Sequence, residues 1–488
     1  IAFWFVIPAT TFEEGFTVTV TDTEGGVFEK STTSSLTIER NHIQPMKALQ
    51  ATIEGETPAV PTPANNEIWY TATAKVEPYD KNVFGATYKS SEWDNATGKG
   101  VITFTSDITK VGNKAFYNKS LTSITLPESV TEIGVDAFFQ CTTLTSVVLP
   151  QGLKSINGWA FQTCLKLTDI TIPQSVTSIG YCAFSKCASL TNITIPENVT
   201  TIAGSIFSGC SKLKNITFSD MVTSIESSAF SGCSSLESIT IPQSVTSVAS
   251  DAFTGCTALP ITDNIRYADS FLVEATNTNL SSYNIKEGTR FIGDNAFTNC
   301  QYLTGITIPE GVLSIGMNAF KGCSSLTSIN IPEGVLSIGK NAFQNCSSLT
   351  SINIPESVTS IPIYFVYGCS ALTSLTIPAS VTSIDDYAFM GCSSLQTLYV
   401  ESETAPKLKV DKDGDNSSLT TCLILVPENS VEQYKTDNYY VTLEIENRYG
   451  NNIYTSMNFA GNGEKKSHCP YFWRHPRRQS EISGRQNF

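Results

Sequence analysis

Leucine recurs every 23 residues at Leu121, Leu144, Leu167, Leu190, Leu213 and Leu236, and again, after an interruption, at Leu280, Leu303, Leu326, Leu349 and Leu372. Eleven copies of one unit therefore end at Ser394, and a degenerate copy, GVITFTSDITKVGNKAFYNKS, precedes them over Gly100–Ser120. A fixed period of this size predicts a solenoid, because one unit cannot bury its apolar edge alone and stacked neighbours can. We number the full copies as rungs 1 to 11 and the residues within each from its leucine.

The shared pattern is L-x-x-I-x-I-P-x-x-V-x-x-I-G-x-x-A-F-x-x-C-x-x, and each position has a physical reading. In rung 9, Leu326, Ile329 and Ile331 are apolar, while Ser328 and Asn330 between them are polar. That alternation marks a half-buried strand. Pro332 lacks an N–H and ends the strand at a corner. Val335 and Ile338 form a second apolar pair, and Gly339 reads as a bend. Ala342 and Phe343 turn inward, and Cys346 closes the coil. Departures are few: Ser219 and Lys286 replace the proline, and Phe365-Val366 replaces Ala-Phe, an exchange that conserves volume.

Residues 259–279 interrupt the register as an insert, LPITDNIRYADSFLVEATNTN. Its IRYADSFLVEA reads as a hairpin turning near Ala268-Asp269-Ser270. Arg266, Tyr267, Asp269 and Phe271 make it a candidate recognition feature; a tolerated surface loop is the plain alternative.

The 488 residues carry a net charge of −14 and only 16% charged side chains. Bulk attraction to nucleic acid or to anionic lipid is therefore not expected. No run of about 18 uncharged apolar residues predicts a membrane helix. The opening IAFWFVIPATTFEEG lacks a basic leader and reads as a strand of a larger parent, so any export signal or membrane anchor is expected upstream.

Eleven of the 14 cysteines stand at position 21, from Cys141 to Cys392. An even count admits disulfides. Equivalent sites one rung apart, with parallel side chains, sit farther apart than the ~3.8 Å a disulfide wants between its Cβ atoms. Buried free thiols acting as small apolar residues are the expectation. No histidine lies between His42 and His468, so the solenoid offers no Ser-His or Cys-His pair, and no metal site or cofactor is expected. A carboxylate pair for glycan processing stays open. DKDGDN spaces Asp411, Asp413 and Asp415 as a calcium loop does, but Asn416 and Cys422 break the EF-hand pattern, and a plain acidic turn is the alternative. Glu287, Glu310, Glu333 and Glu356 repeat at position 8 as a stripe of corner charges. The broadest uncharged array is the strand face at positions 3 and 5. It includes Asp169, Thr171, Asn192, Thr194, Asn215, Thr217, Ser328, Asn330, Ser351 and Asn353. Such a face suits multivalent contact, or simply suits exposed strands.

LTDITIPQSVTSIG at Leu167–Gly180, followed by AFSKC at Ala183–Cys187, resembles the BspA-like leucine-rich-repeat family of bacterial surface proteins. The resemblance covers residues 100 to about 440. It implies a mainly β fold, a leucine-rich-repeat solenoid of about twelve 23-residue rungs, preceded here by a partial antiparallel β domain. It also implies export to an outer-membrane-anchored place on the cell surface. There the family's expected role is non-enzymatic adhesion to a host extracellular protein or glycan, or to another cell-surface protein. A structural stalk displaying another domain is the alternative. Oligomeric state is not readable.

The flanks complete the expected organisation. Residues 1–53 read as antiparallel strands and resemble part of a fimbrillin-like β-sandwich, on IAFWFVIPATTFEEGFTVTVTDTEGG and LTIERNHIQPMKAL. Residues 54–66, EGETPAVPTPANN, form a Pro-rich linker. Residues 67–99 are expected to cap the first rung, 100–394 to form the solenoid, and 395–446 to form a C-terminal cap with a strand and a short helix near Ser430. The basic stretch 447–488 is expected to be a disordered extension.

Overall fold

The computed structural model describes residues 62–408 and 422–436. It also describes, as backbone, the strands Thr10–Phe12, Thr17–Thr21, Val27–Ser31, Leu36–Ile38, Glu444–Tyr449 and Asn452–Tyr454. The chain divides into Ile1–Thr62 and Pro63–Phe488. In the first unit, Thr10–Phe12 pairs antiparallel with Leu36–Ile38, and Thr17–Thr21 with Val27–Ser31.

The second unit is a β-solenoid of about 13 turns, with almost no helix. Seven of its eleven full rungs carry two short parallel strands, and the other four carry only the second. The first lies at positions 3–5: Asn192–Thr194 pairs with Asn215–Thr217, each residue opposite its counterpart in the next rung. The second lies at positions 12–13: Glu132–Ile133, Ser155–Ile156 and Ser178–Ile179 run side by side in register. The sequence shows this second strand only as a spaced apolar pair, because a two-residue strand has no alternation to detect. The edge at positions 14–20 is also tied between rungs, as where Phe138 N–H donates to Ala160 C=O at 2.7 Å.

Each consensus apolar residue is buried. Leu326, Ile331, Val335, Ala342, Phe343 and Cys346 have no exposed surface. The phenylalanines stack ring on ring, with centroids 5.0 Å apart for Phe138 and Phe161 and 5.4 Å for Phe320 and Phe343.

Gly339 differs from its reading as a bend. Its backbone is not left-handed; a Cβ there would lie 2.4 Å from Met317 N and 2.5 Å from Gly316 C. The glycine is required by the close approach of the preceding rung. The left-handed positions are 16 and 20, held by residues such as Asn318 (φ 56°), Asn341 (φ 60°), Asn345 (φ 60°) and Gly322 (φ 76°). Asparagine and glycine are the residues that tolerate this region best.

At the N-terminal end, Glu67–Ala72 lies between Lys99–Phe104 and Leu121–Thr125, antiparallel to both, and so covers the edge of rung 1. At the other end, Thr397–Val400 is followed by Leu423–Pro427 and the helix Val431–Thr436. The buried Tyr434 hydroxyl donates to Ser402 O at 2.9 Å.

The insert forms a hairpin of Ile265–Ala268 and Phe271–Ala275, with Asp269 left-handed at its turn. Phe271–Ala275 then pairs in parallel with Phe291–Ile292, the second strand of rung 7. The buried core divides here, one cluster ending at Phe291 and the other beginning at Ile265.

Candidate interaction surface

The abundance of Ser and Thr has a structural cause. Thr327 Oγ1 donates to Thr304 O at 3.2 Å, and Thr350 Oγ1 to Thr327 O at 3.0 Å, each reaching back one rung at position 2. At position 9, Ser244 Oγ donates to Val222 O at 2.7 Å and Ser380 Oγ to Val358 O at 2.8 Å. The hydroxyls thus staple each rung to its predecessor and satisfy backbone carbonyls. The corner carboxylates do similar work: Glu333 Oε2 accepts from Glu356 N–H at 3.2 Å and Glu128 Oε2 from Gln151 N–H at 3.0 Å.

Against that background the strand face separates into free and committed groups. Asp169, Thr171, Asn192, Thr194, Asn215, Thr217, Ser328, Asn330 and Ser351 are exposed. Asn192 and Asn215 bond to each other, Asn215 Nδ2 donating to Asn192 Oδ1 at 3.1 Å. Asn353 is only half-exposed. Its Oδ1 accepts from Ile331 N–H at 2.6 Å and its Nδ2 donates to Ile331 O at 2.7 Å, so its amide is committed to the neighbouring rung and is not offered to a ligand.

The insert candidates are likewise structural. Phe271 is buried between Phe253, at 5.1 Å and tilted by 58°, and Phe291, at 6.4 Å, and extends the first cluster's ring contacts into rung 7. Tyr267 is buried, its hydroxyl accepting from Lys286 N–H at 3.2 Å. Arg266 donates through Nε to Glu274 at 3.0 Å and through its terminal nitrogen to Leu259 O and Thr257 O. Asp269 is exposed, but its Oδ2 accepts from Ile241 N–H at 2.9 Å and pins the turn to rung 6. These four residues tie the insert to the neighbouring rungs through the contacts just described.

The thirteen cysteines among the described residues are all free and buried. They are donors as well as fillers: Cys187 Sγ donates to Phe161 O at 3.2 Å and Cys346 Sγ to Phe320 O at 3.2 Å. Burial pushes the Cys141, Cys256 and Cys392 thiols up to about 12. A thiol held protonated at neutral pH is a poor nucleophile and a poor metal ligand. Among the described residues no group of three His, Cys, Asp or Glu could hold a metal ion, and no helix is long and apolar enough to cross a membrane. Asp411, Asp413 and Asp415 lie outside the described residues.

One surface feature escaped the sequence pattern. Trp159 and Tyr181 are exposed on adjacent rungs, their ring centroids 5.5 Å apart. They occupy positions 16 and 15, which the consensus leaves unspecified. At position 16 seven of the eleven rungs carry Asn, Asp or Ser; Trp159 shares the column with Cys182 and with the half-buried Tyr364 and Tyr387, and is the exposed aromatic among them.

The family described as BspA type leucine rich repeat region matches residues 109–235 and 274–396, in six copies and over just over half of the chain. The gap between the two matched stretches holds rung 6 and residues 259–273 of the insert, and residues 1–108 lie outside the match. The fimbrillin-like resemblance of residues 1–53 therefore gains no support. A leucine-rich cell surface protein of Faecalibacterium prausnitzii A2-165 is 29% identical, over 78% of this chain and 97% of its own, with a TM-score of 0.36. A leucine-rich-repeat protein of Bacteroides ovatus ATCC 8483 is 28% identical, over 63% of this chain and 88% of its own, with a TM-score of 0.37. No protein of curated function matches the chain.

Proposed function

The chain belongs to the BspA-type leucine-rich-repeat family, and from that premise we propose that it is a non-enzymatic interaction module of the bacterial cell surface that binds an extracellular protein or glycan. The observation that carries this reading is the exposed array at positions 3 and 5. Thr194 and Thr217, Asn192 and Asn215, and Ser328 and Ser351 face their counterparts in strict register. The backbone behind them is stapled, so a partner meeting several rungs loses little conformational freedom of the protein on binding. The placement at the surface is part of the proposal and comes with the family. Binding of the full chain to immobilised extracellular-matrix proteins and to a glycan panel tests it. Saturable binding that falls in a T194A/T217A/S328A/N330A variant is expected; absence of binding across both panels would sink it.

The hydroxyl staples and the stacked phenylalanine rings of rungs 1 to 6 favour a second reading, a stiff spacer displaying another domain. Removing rungs 9 and 10 separates the two. A spacer keeps any binding and loses only reach, whereas a binding array loses affinity with each rung.

A further inference from the structure

We propose that Trp159 and Tyr181 form a stacking site for a neutral glycan on the turn edge of rungs 2 and 3. The inference deepens the interaction reading and rests on it, but it names a part of the surface distinct from the strand face.

The first observation is backbone strain without burial. Position 16 is left-handed in every rung but rung 6, and most rungs fill it with Asn, Asp or Ser. Trp159 adopts φ 58° there. A bulky side chain in this region is disfavoured. Burial does not offset the cost, because Trp159 is 39% exposed. Strain kept at an exposed aromatic points to a use for that ring.

The second observation is how Tyr181 is held. Its neighbours at position 15 in the flanking rungs are Gly158 and Gly204. A Cβ on Gly204 would come within 3.1 Å of Tyr181 Cδ2 and Cε2, so the ring rests on bare backbone. Ser205 Oγ donates to the Tyr181 hydroxyl at 3.4 Å. The ring is pinned on one side and still 49% exposed.

The third is the angle between the rings. Trp159 and Tyr181 meet at 67° and 5.5 Å, two walls of a corner. Tyr117 with Phe139 at 11° and Tyr364 with Tyr387 at 15° stack face to face, while Tyr364 with Tyr367 at 82° is an edge-to-face pair of half-buried rings. Trp159 and Tyr181 are the edge-to-face pair in which both rings are exposed.

The chemistry then selects the ligand. The surrounding turn residues of rungs 2 to 4 are Gly158, Gln162, Thr163, Lys186 and Ser208, and the flanking rungs bring Asp136 and Glu226, the latter with its Oε2 already accepting from Gly204 N–H at 2.8 Å. Two rings are far less than the ~800 Å² per partner that a standard protein interface covers. A sugar ring fits this site: its C–H face packs on an aromatic face, and its hydroxyls bond amides and hydroxyls at the rim. Pre-positioned rings keep the ordering cost of such a contact low.

The test uses the full chain in affinity electrophoresis through gels containing soluble amylose, xylan, mannan or galactan, with tryptophan fluorescence as a second readout. W159N and Y181S take their replacements from the same positions of other rungs, so each keeps a residue the solenoid already accommodates. At least one polysaccharide is expected to retard the wild-type chain and perturb its fluorescence. Each variant should bind about tenfold more weakly or worse, while Leu336→Ser, on an exposed corner of rung 9 outside both surfaces, binds as wild type. Retardation unchanged in W159N and Y181S overturns the proposal. So does loss only in the strand-face variant, which leaves the interaction reading standing. Loss of a protein ligand in W159N, with no polysaccharide bound, overturns the glycan assignment. A chain that binds neither polysaccharide nor matrix protein takes down both readings.

Discussion

The thiol of Cys164 donates to the carbonyl oxygen of Phe138 in the preceding rung, 3.3 Å away. That oxygen already accepts Cys141 N–H at 3.1 Å, so the thiol takes its second acceptor site. The same relationship joins Cys210 to Phe184 at 3.1 Å and Cys369 to Phe343 at 3.2 Å. Position 21 calls for an apolar body, a weak donor, and an atom large enough to span the gap between rungs. Cysteine is the residue that combines them.

Cys233, whose Sγ reaches Phe207 O at 3.2 Å, is the place to measure this. Cys233→Ala should cost about 1–2 kcal/mol, from a small cavity and a weak bond whose acceptor keeps its other partner. Cys233→Ser should cost more, because a buried hydroxyl on a shorter bond has farther to reach. Urea midpoints decide it; a serine milder than alanine would contradict the size argument.

Alkaline pH should unfold the solenoid. Burial raises the Cys141 and Cys392 thiols to about 12, above the ~8.5 of an unfolded cysteine. A raised folded value means the stabilisation is complete below the unfolded value and is lost as pH climbs toward the folded one. Each thiol then removes up to about 1.4 kcal/mol per pH unit in that window. Denaturation midpoints should be level up to about pH 8.5 and fall above it, with a shallower fall in Cys141→Ala.

Gly339→Ala should destabilise by about 3 kcal/mol, since the added methyl would meet the backbone of Gly316 and Met317 at 2.4–2.5 Å. Gly305→Ala is the control: nothing lies within 4 Å of its Cβ site, and its effect should stay within about 0.5 kcal/mol. Equal effects in thermal denaturation would show that the preceding rung can yield.

Phe271→Ala should cost about 3–5 kcal/mol, the range for emptying a fully buried aromatic site. Ile261→Ser, on the exposed outer strand of the same insert, should be near neutral. An insert that were only a surface loop would tolerate both.

The repeat made the core legible because burial recurs with the period. Leu326, Ile329, Ile331, Val335, Ile338, Phe343 and Cys346 could each be placed inside from the pattern alone. Legibility failed where a residue's role depends on the rung beside it. Ser337–Ile338 is a strand only because Ser314–Ile315 lies beside it. Asn353 looked like a free surface amide until its neighbour's backbone was seen to occupy it. Tyr267 and Phe271 looked like display residues because an insert carries no repeat against which to judge burial. Trp159 and Tyr181 fell at positions the pattern leaves blank, so neither drew notice as a pair.

The sequence by itself determined the fold class, the rung length, the inward residues and the site of the interruption. All of these follow from side-chain polarity recurring at fixed spacing, which one strand of letters displays. The tertiary structure alone decided which polar groups remain free, why Gly339 must be glycine, and that the insert buries Phe271 against Phe253 and Phe291. It also decided that two aromatic rings on successive rungs meet at a corner. Those are relations between rungs across about 5 Å of space, where contact is set by the stacking geometry and not by any residue's own character.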